Sequence, residues 1–237
     1  MAKRLICYRG NEFELSYTFL NHHCSKNILF LHGWGSNKEL MELAFKNSFK
    51  DFNHYYLDMP GFGNSPNSVV ISTQDYAQIT NEFIASFDIK INVIVGHSFG
   101  GKVALLCNSD EIILLSSAGI PIQKSLRVKT KIFLAKIFKT LGINSSKLRS
   151  ADAENLNEAM YEVFKQVVNE DFSNIYAHFC KKAYVFWGRS DSATPLWCGE
   201  KISTLIPNNH FFVLEGDHYF FLKQAKIIDE QYHKEGR

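Results

Sequence analysis

The run that most restricts this chain is Gly96-His97-Ser98-Phe99-Gly100-Gly101. Residues 91–95 before it are rich in strand-forming types, and residues 102–107 after it read as helix. A strand entering a helix through G-x-S-x-G forces a turn so tight that the serine side chain is pushed out, open to approach from both sides. Gly96 and Gly100 flank Ser98 at two residues each way, where a Cβ would collide as strand and helix close on each other. The pattern alone does not decide, because roughly one chain in ten of this length would hold it by chance at ordinary glycine and serine frequencies. The decision rests on whether the rest of the chain supplies an oxyanion hole, a base and an acid in the right order.

The chain has room for such a scaffold. Its 237 residues, 46% hydrophobic and 21% charged, suit one α/β domain with space for an insertion. A net charge of +2 carries no pervasive basic signal for nucleic acid. The five cysteines, Cys7, Cys24, Cys107, Cys180 and Cys198, are scattered and include no C-x-x-C pair. That spacing argues against a disulfide framework or a zinc site and for a reducing compartment. Residues 1–8 lack the pattern of a cleavable signal, and no segment approaches 18 apolar residues. The expectation is a cytoplasmic enzyme with no stable membrane insertion.

Strands are expected at 3–8 and 12–19, joined by a turn at Arg9-Gly10-Asn11, and then at 27–31, 54–57, 91–95, 111–115, 183–187 and 211–214. Helices are expected over 39–50, from Ser72 or Thr73 to about 87, over 151–168, near 196–205 and from 220 to about 232. Between 119 and 177 the strand–helix rhythm breaks, and the stripe Leu156, Met160, Val163, Phe164 and Val167 has helical spacing. The predicted architecture is α/β: a mostly parallel eight-stranded sheet with an antiparallel start and helices on both faces. Residues 1–118 and 178–237 form its core, and residues 119–177 form a helical lid inserted after the sixth or seventh strand.

In an open parallel sheet the functional groups gather in loops at the carboxyl ends of the strands. A hydroxyl is a weak nucleophile at neutral pH and needs an adjacent base. His218, four residues past the last strand, is the expected base. Asp191, four residues past the strand before it, is the expected acid, holding the imidazole tautomer and stabilising the imidazolium. The chain order Ser, Asp, His is the one expected of a sheet enzyme of this kind. Two backbone N–H groups must face the developing negative charge: Phe99, at the start of the helix, and Trp34, in the His32-Gly33-Trp34-Gly35 loop after the third strand.

These motifs resemble the α/β-hydrolases over nearly the whole chain. The matching residues are His32-Gly33-Trp34-Gly35, Asp58-Met59-Pro60-Gly61-Phe62-Gly63-Asn64-Ser65, the Gly96–Gly101 run, Gly188-Arg189-Ser190-Asp191 with Pro195, and Gly216-Asp217-His218. The resemblance implies the same triad and oxyanion residues, no cofactor and no metal, and a helical lid. Tyr219 stands where many relatives carry Trp, a change to the pocket wall. Two subfamilies compete. Gly188-Arg189-x-Asp191-x-x-x-Pro195 resembles the meta-cleavage-product hydrolases, which cut a carbon–carbon bond in ring-opened dienoates. The 32–35 and 60–63 loops resemble the pimeloyl-carrier-protein methyl ester esterases, although those often have Trp where His97 stands.

Several residues invite a second reading. Asp217 adjoins His218, but its side chain should point away from its neighbour's. The loop Ser116-Ser117-Ala118-Gly119 holds no carboxylate, which favours Asp191. Asp58 is expected in a structural turn role, His97 and His32 in packing and loop shaping, and His22-His23-Cys24 in a surface loop rather than a metal cluster. Cys107 and Cys180 are expected as small buried hydrophobes. Lys124, Arg127, Lys129, Lys131, Lys136, Lys139, Lys147 and Arg149 form a basic run followed by the acidic stretch 152–171. This is either a solvated face of mutually attracting helices or a docking surface for an anionic partner such as an acyl carrier protein. The predicted function is therefore ester hydrolysis or dienoate cleavage by Ser98, His218 and Asp191. The rival from another class is a non-catalytic binding protein on the same scaffold.

Overall fold

The computed structural model describes residues 2–122 and 156–235. Among them eight strands form one sheet in the order β1-β2-β4-β3-β5-β6-β7-β8. They are β1 (Ala2–Tyr8), β2 (Asn11–Leu20), β3 (Asn27–Leu31), β4 (Asn53–Leu57), β5 (Val93–His97), β6 (Glu111–Leu115), β7 (Lys182–Gly188) and β8 (Asn209–Leu214). The β1–β2 and β2–β4 pairings are antiparallel and all the others parallel. This is the mostly parallel sheet with an antiparallel start that the sequence predicts.

The central strands show why the sheet must be covered on both sides. Ile28, Leu29, Phe30 and Leu31 of β3 are all fully buried. Period-two alternation sends Leu29 and Leu31 to one face and Ile28 and Phe30 to the other, so a continuous apolar run serves two cores. On the first face lie α2 (Thr73–Ala85) and α3 (Phe99–Leu106), and on the second α1 (Lys38–Phe45) and α7 (Phe221–Glu235). Ser72 caps α2 through a capping box with Asp75, a contribution of about 1 kcal/mol. Several helices are shorter than the apolar pattern suggests. α1 ends at Phe45, after which Phe49 takes a positive φ of 52° and its N–H bonds the Asp229 carboxylate of α7.

The interruption falls after the sixth strand. Its described part contains α4 (Glu158–Val167) and α5 (Ser173–Ala177), and α6 (Leu196–Leu205) follows β7. The expected stripe buries Met160, Val163 and Val167 against α2 and α3. The Asn157 side chain accepts from Met160 N–H and caps α4, while its amide donates to Asn67 O. Lys102 of α3, buried under this segment, donates to Val167 O at 2.7 Å and pairs with Glu170 at 2.5 Å, with Thr73 bonding the same carboxylate oxygen. Leaving the buried Lys102 ammonium without this partner would cost roughly 3–5 kcal/mol, so the pair ties the residues after α4 to α3. The expected basic run from Lys124 to Arg149, and Asp152 and Glu154 after it, lie outside the described residues.

Cysteine placement departs from expectation at one point. Cys107 is buried, but Cys180 is exposed in the turn between α5 and β7, where its thiol donates to His178 O. The short connection from α5 to β7 buries Phe179 and leaves its neighbour, residue 180, at the surface. All five cysteines are free. Among the described residues no helix is long and apolar enough to cross a membrane.

Candidate active site

The strand order reverses between β3 and β5: β4 lies on one side of this pair and β6 on the other. At such a switch point the loops diverge and leave a crevice at the strand carboxyl ends. Leu31 pairs with Gly96 across it, so the 32–35 loop and the turn at Ser98 leave the sheet side by side. Ser98 has φ 49° and ψ −111°, a conformation that non-glycine residues rarely hold. Its carbonyl accepts from Gly101 and Ala118, and its N–H donates to Leu115 O. A Cβ on Gly100 would fall 2.5 Å from the Leu31 and His32 carbonyl oxygens, and one on Gly96 would strike the Gly100 carbonyl. Both glycines are therefore required by close approach, as the sequence suggests. From Val93 to Leu105 every residue is buried except Ser98.

His218 and Asp191 come from loops after β8 and β7. The His218 Nδ1–H donates to Asp191 Oδ2 at 2.7 Å. Asp191 Oδ1 accepts from the Ala193 and Thr194 N–H groups at 2.8 and 2.9 Å, and Oδ2 also accepts from Thr194 Oγ1 at 2.8 Å. The Asp191 side chain is fully buried and that of His218 is 15% exposed. Burial alone would raise the carboxyl pKa, but the His218 imidazole and the Thr194 backbone N–H outweigh it and hold the group down from 3.8 to about 2. Asp217 points elsewhere, accepting from Tyr219 N–H at 2.8 Å. The elbow and the imidazole are joined through His97, whose Nε2–H donates to His218 O at 3.0 Å and whose ring centroid lies 4.6 Å from that of His218. The hydrogen bonds among the described residues close the His218–Asp191 link but not a Ser98–His218 one.

The depressed Asp191 pKa makes a stability prediction. Its contribution is complete above the unfolded value near 3.8 and is lost as pH falls through about 2. In guanidinium titrations, wild type should lose on the order of 2 kcal/mol more than Asp191→Asn as pH is lowered from 5 towards 2. An identical pH dependence in the two proteins would contradict the assignment.

Opposite the imidazole, Gly33 packs against the elbow: a Cβ there would lie 3.3 Å from Ser98 Cβ and 2.8 Å from His97 Nδ1. His32 shapes this loop, as predicted. Its Nδ1–H donates to Gly33 O at 2.7 Å and its Nε2 accepts from Met59 N–H at 3.1 Å, with burial pressing its pKa down. The Trp34 ring, half-buried, stands edge-on to Phe62 at 4.8 Å and Phe99 at 5.4 Å, and Phe164 of α4 leans on it at 5.3 Å. The Phe99 N–H is among the first of α3, where helical N–H groups lack intrahelical partners. Asp58 has the expected structural role: its buried carboxylate binds Lys38 Nζ at 2.8 Å and the Lys38 and Asn64 N–H groups.

Two supporting residues escape the sequence reading. Thr194 grips both oxygens of Asp191, and its Oγ1 lies 3.2 Å from Ser116 O and 3.3 Å from His218 Nδ1. The signal was present, since an Asp at the head of a short Ser-Ala-Thr-Pro loop is placed to accept from the N–H groups two and three residues on, as an Asx turn does. Ser116, at φ 43°, left no comparable trace. His22-His23-Cys24 forms a loop between β2 and β3, with His22 against His54 at 4.7 Å. Among the described residues no group of three or more His, Cys, Asp or Glu is arranged to hold a metal ion.

Comparison with known proteins agrees with this fold. The model of the alpha/beta hydrolase family matches residues 28–230. A Mycoplasma pneumoniae protein assigned as an esterase/lipase is 27% identical over 187 residues, 74% of this chain and 68% of its own. Further curated relatives align over 31–37% of their own length. A thermophilic esterase from Thermogutta terrifontis superposes with a TM-score of 0.77 at 16% identity, covering 100% of this chain and 98% of its own. A meta-cleavage product hydrolase from Pseudomonas fluorescens gives 0.73 at 17% identity, covering 99% and 98%. At these identities the structural likenesses speak for the fold alone.

Proposed function

The chain belongs to the alpha/beta hydrolase family, and on that premise we propose that it is a serine hydrolase of carboxylic esters acting through Ser98, His218 and Asp191. The observation that carries this reading is the His218–Asp191 bond of 2.7 Å, with a buried carboxylate, held beside the one side chain of the elbow that is not buried. An Nδ1–H so engaged leaves the Nε2 lone pair to receive a proton. Ser98 Oγ attacks the ester carbonyl as His218 Nε2 takes its proton. The carbonyl oxygen becomes an oxyanion facing the Phe99 and Trp34 N–H groups, each such donor being worth about 2.7–4 kcal/mol in the transition state. The imidazolium gives its proton to the departing alkoxide, leaving an acyl-enzyme. Water then attacks the acyl carbon, its proton passes through His218 back to Ser98 Oγ, and the carboxylic acid is released.

The aromatic wall of Trp34, Phe62, Phe99 and Phe164 supports an acyl group with an apolar surface. The resemblance to dienoate hydrolases supports a second substrate type, and the basic run in 124–149 supports a carrier-linked methyl ester as a third. A panel of p-nitrophenyl acetate and butyrate, a carrier-protein methyl ester and a ring-opened dienoate tests the assignment. The small esters should turn over. Turnover of the dienoate alone would move the activity to carbon–carbon cleavage, and none on any substrate would favour a binding protein.

A further inference from the structure

We propose that His97, which the chemistry above leaves unused, is a positioning residue that sets the base against the nucleophile. This rests on the reading of Ser98 and His218 just given. The loop carrying His218 needs an anchor: residues 215, 216, 217 and 219 are all exposed. Its other main-chain ties, among them Ser190 N–H to Gly216 O, Phe220 N–H to Asp217 O and Gln224 Nε2 to Glu215 O, run to the loop after β7 and to the start of α7 rather than to β5. His97 supplies the tie on the β5 side, 121 residues away in the chain and covalently adjacent to Ser98. Its ring is 1% exposed and also meets Tyr219 at 5.2 Å and Phe221 at 4.8 Å. One imidazole therefore joins the elbow to the base loop, and its Nδ1 edge fills the space beside Gly33, where a Cβ would lie 2.8 Å away.

The protonation state fits this role. Donation from Nε2 fixes the tautomer and leaves Nδ1 buried and without a hydrogen-bond partner among the described residues. Burial first, and the neighbouring His218 second, press the His97 pKa down to about 3. A neutral ring 4.6 Å from His218 adds no repulsion when that imidazole takes the proton of Ser98. The bond thus persists across the working pH range and orients the base without exchanging protons with it.

The test compares wild type with His97→Gln, which can return an N–H to the same carbonyl, and His97→Leu, which cannot. Displacement of reacting groups by about 1 Å costs roughly 100-fold, so kcat on p-nitrophenyl butyrate should fall about 10- to 100-fold in His97→Leu with KM within about twofold. His97→Gln should stay within a few-fold of wild type, even where the two variants have equal Tm. Should the leucine variant fail to fold, His97→Asn replaces it, its amide too short to reach the carbonyl, with the same loss expected. Equal activities in the Gln variant and the Leu or Asn variant, or a loss confined to KM, would overturn the inference. Ser98→Ala is run in parallel. If it retains wild-type turnover, the site reading falls and takes this inference with it, whereas an inactive Ser98→Ala beside a fully active His97→Leu overturns the role of His97 alone.

Discussion

Ser98→Ala should lower kcat on small p-nitrophenyl esters by roughly 10⁴- to 10⁶-fold while leaving the fold intact. The size of the effect follows from the pathway. Without Oγ there is no acyl-enzyme, and what survives is the acceleration that oriented N–H groups and binding give to direct attack by water. Stability should change little, because the Ser98 side chain makes no capping bond whose loss would be felt and the strained φ of 49° is the same in both proteins. Alanine keeps that backbone while removing only the hydroxyl. Steady-state kinetics with thermal melts separate the two effects. A variant that is inactive because it is unfolded would say nothing for the hydroxyl, and one that is folded and active would remove it from the mechanism.

Asp191→Asn is expected to be the next most damaging change, with kcat down by about 10⁴-fold. The carboxylate accepts four hydrogen bonds: one from His218, one from Ala193, and two from Thr194 through its N–H and its hydroxyl. An amide can present only one acceptor oxygen to this set, so its NH₂ must face either the Thr194 and Ala193 donors or the ring. The backbone donors are fixed, which turns the NH₂ towards His218 Nδ1 and drives the proton to Nε2. The base then faces Ser98 with its N–H instead of its lone pair. KM should move by less than kcat, because Asp191 does not face the crevice. A matching loss in Asp217→Asn, with Asp191→Asn near wild type, would transfer the acid to the other residue.

The parts of this site that were readable from the amino-acid order are those written in local covalent terms. The elbow needs glycines two residues from the serine, and each strand announces its end by where the apolar run stops. The candidates Ser98, Asp191 and His218 therefore follow from counting along short segments. Residues whose role depends on distant partners were not readable in this way. His97 looked like packing because the carbonyl it binds belongs to residue 218. Lys102 looked like one more helix lysine, and only the fold brings Glu170 to it from 68 positions away. Cys180 was misplaced because hydropathy speaks for the side chain and not for a turn at the surface. Helix ends were overrun wherever apolar spacing continued past a cap, as at Asn157, whose side chain starts α4 after Leu156.

The central claim is that the half-buried hydroxyl of the elbow becomes covalently attached to substrate, and it can be read directly. The protein is treated with a fluorophosphonate, digested, and the modified peptide sequenced by mass spectrometry. The account predicts one phosphonyl adduct, on Ser98, that forms slowly or not at all in His218→Ala. An adduct on another residue, such as Ser116 or Ser117, or labelling that continues unchanged in Ser98→Ala, would contradict it.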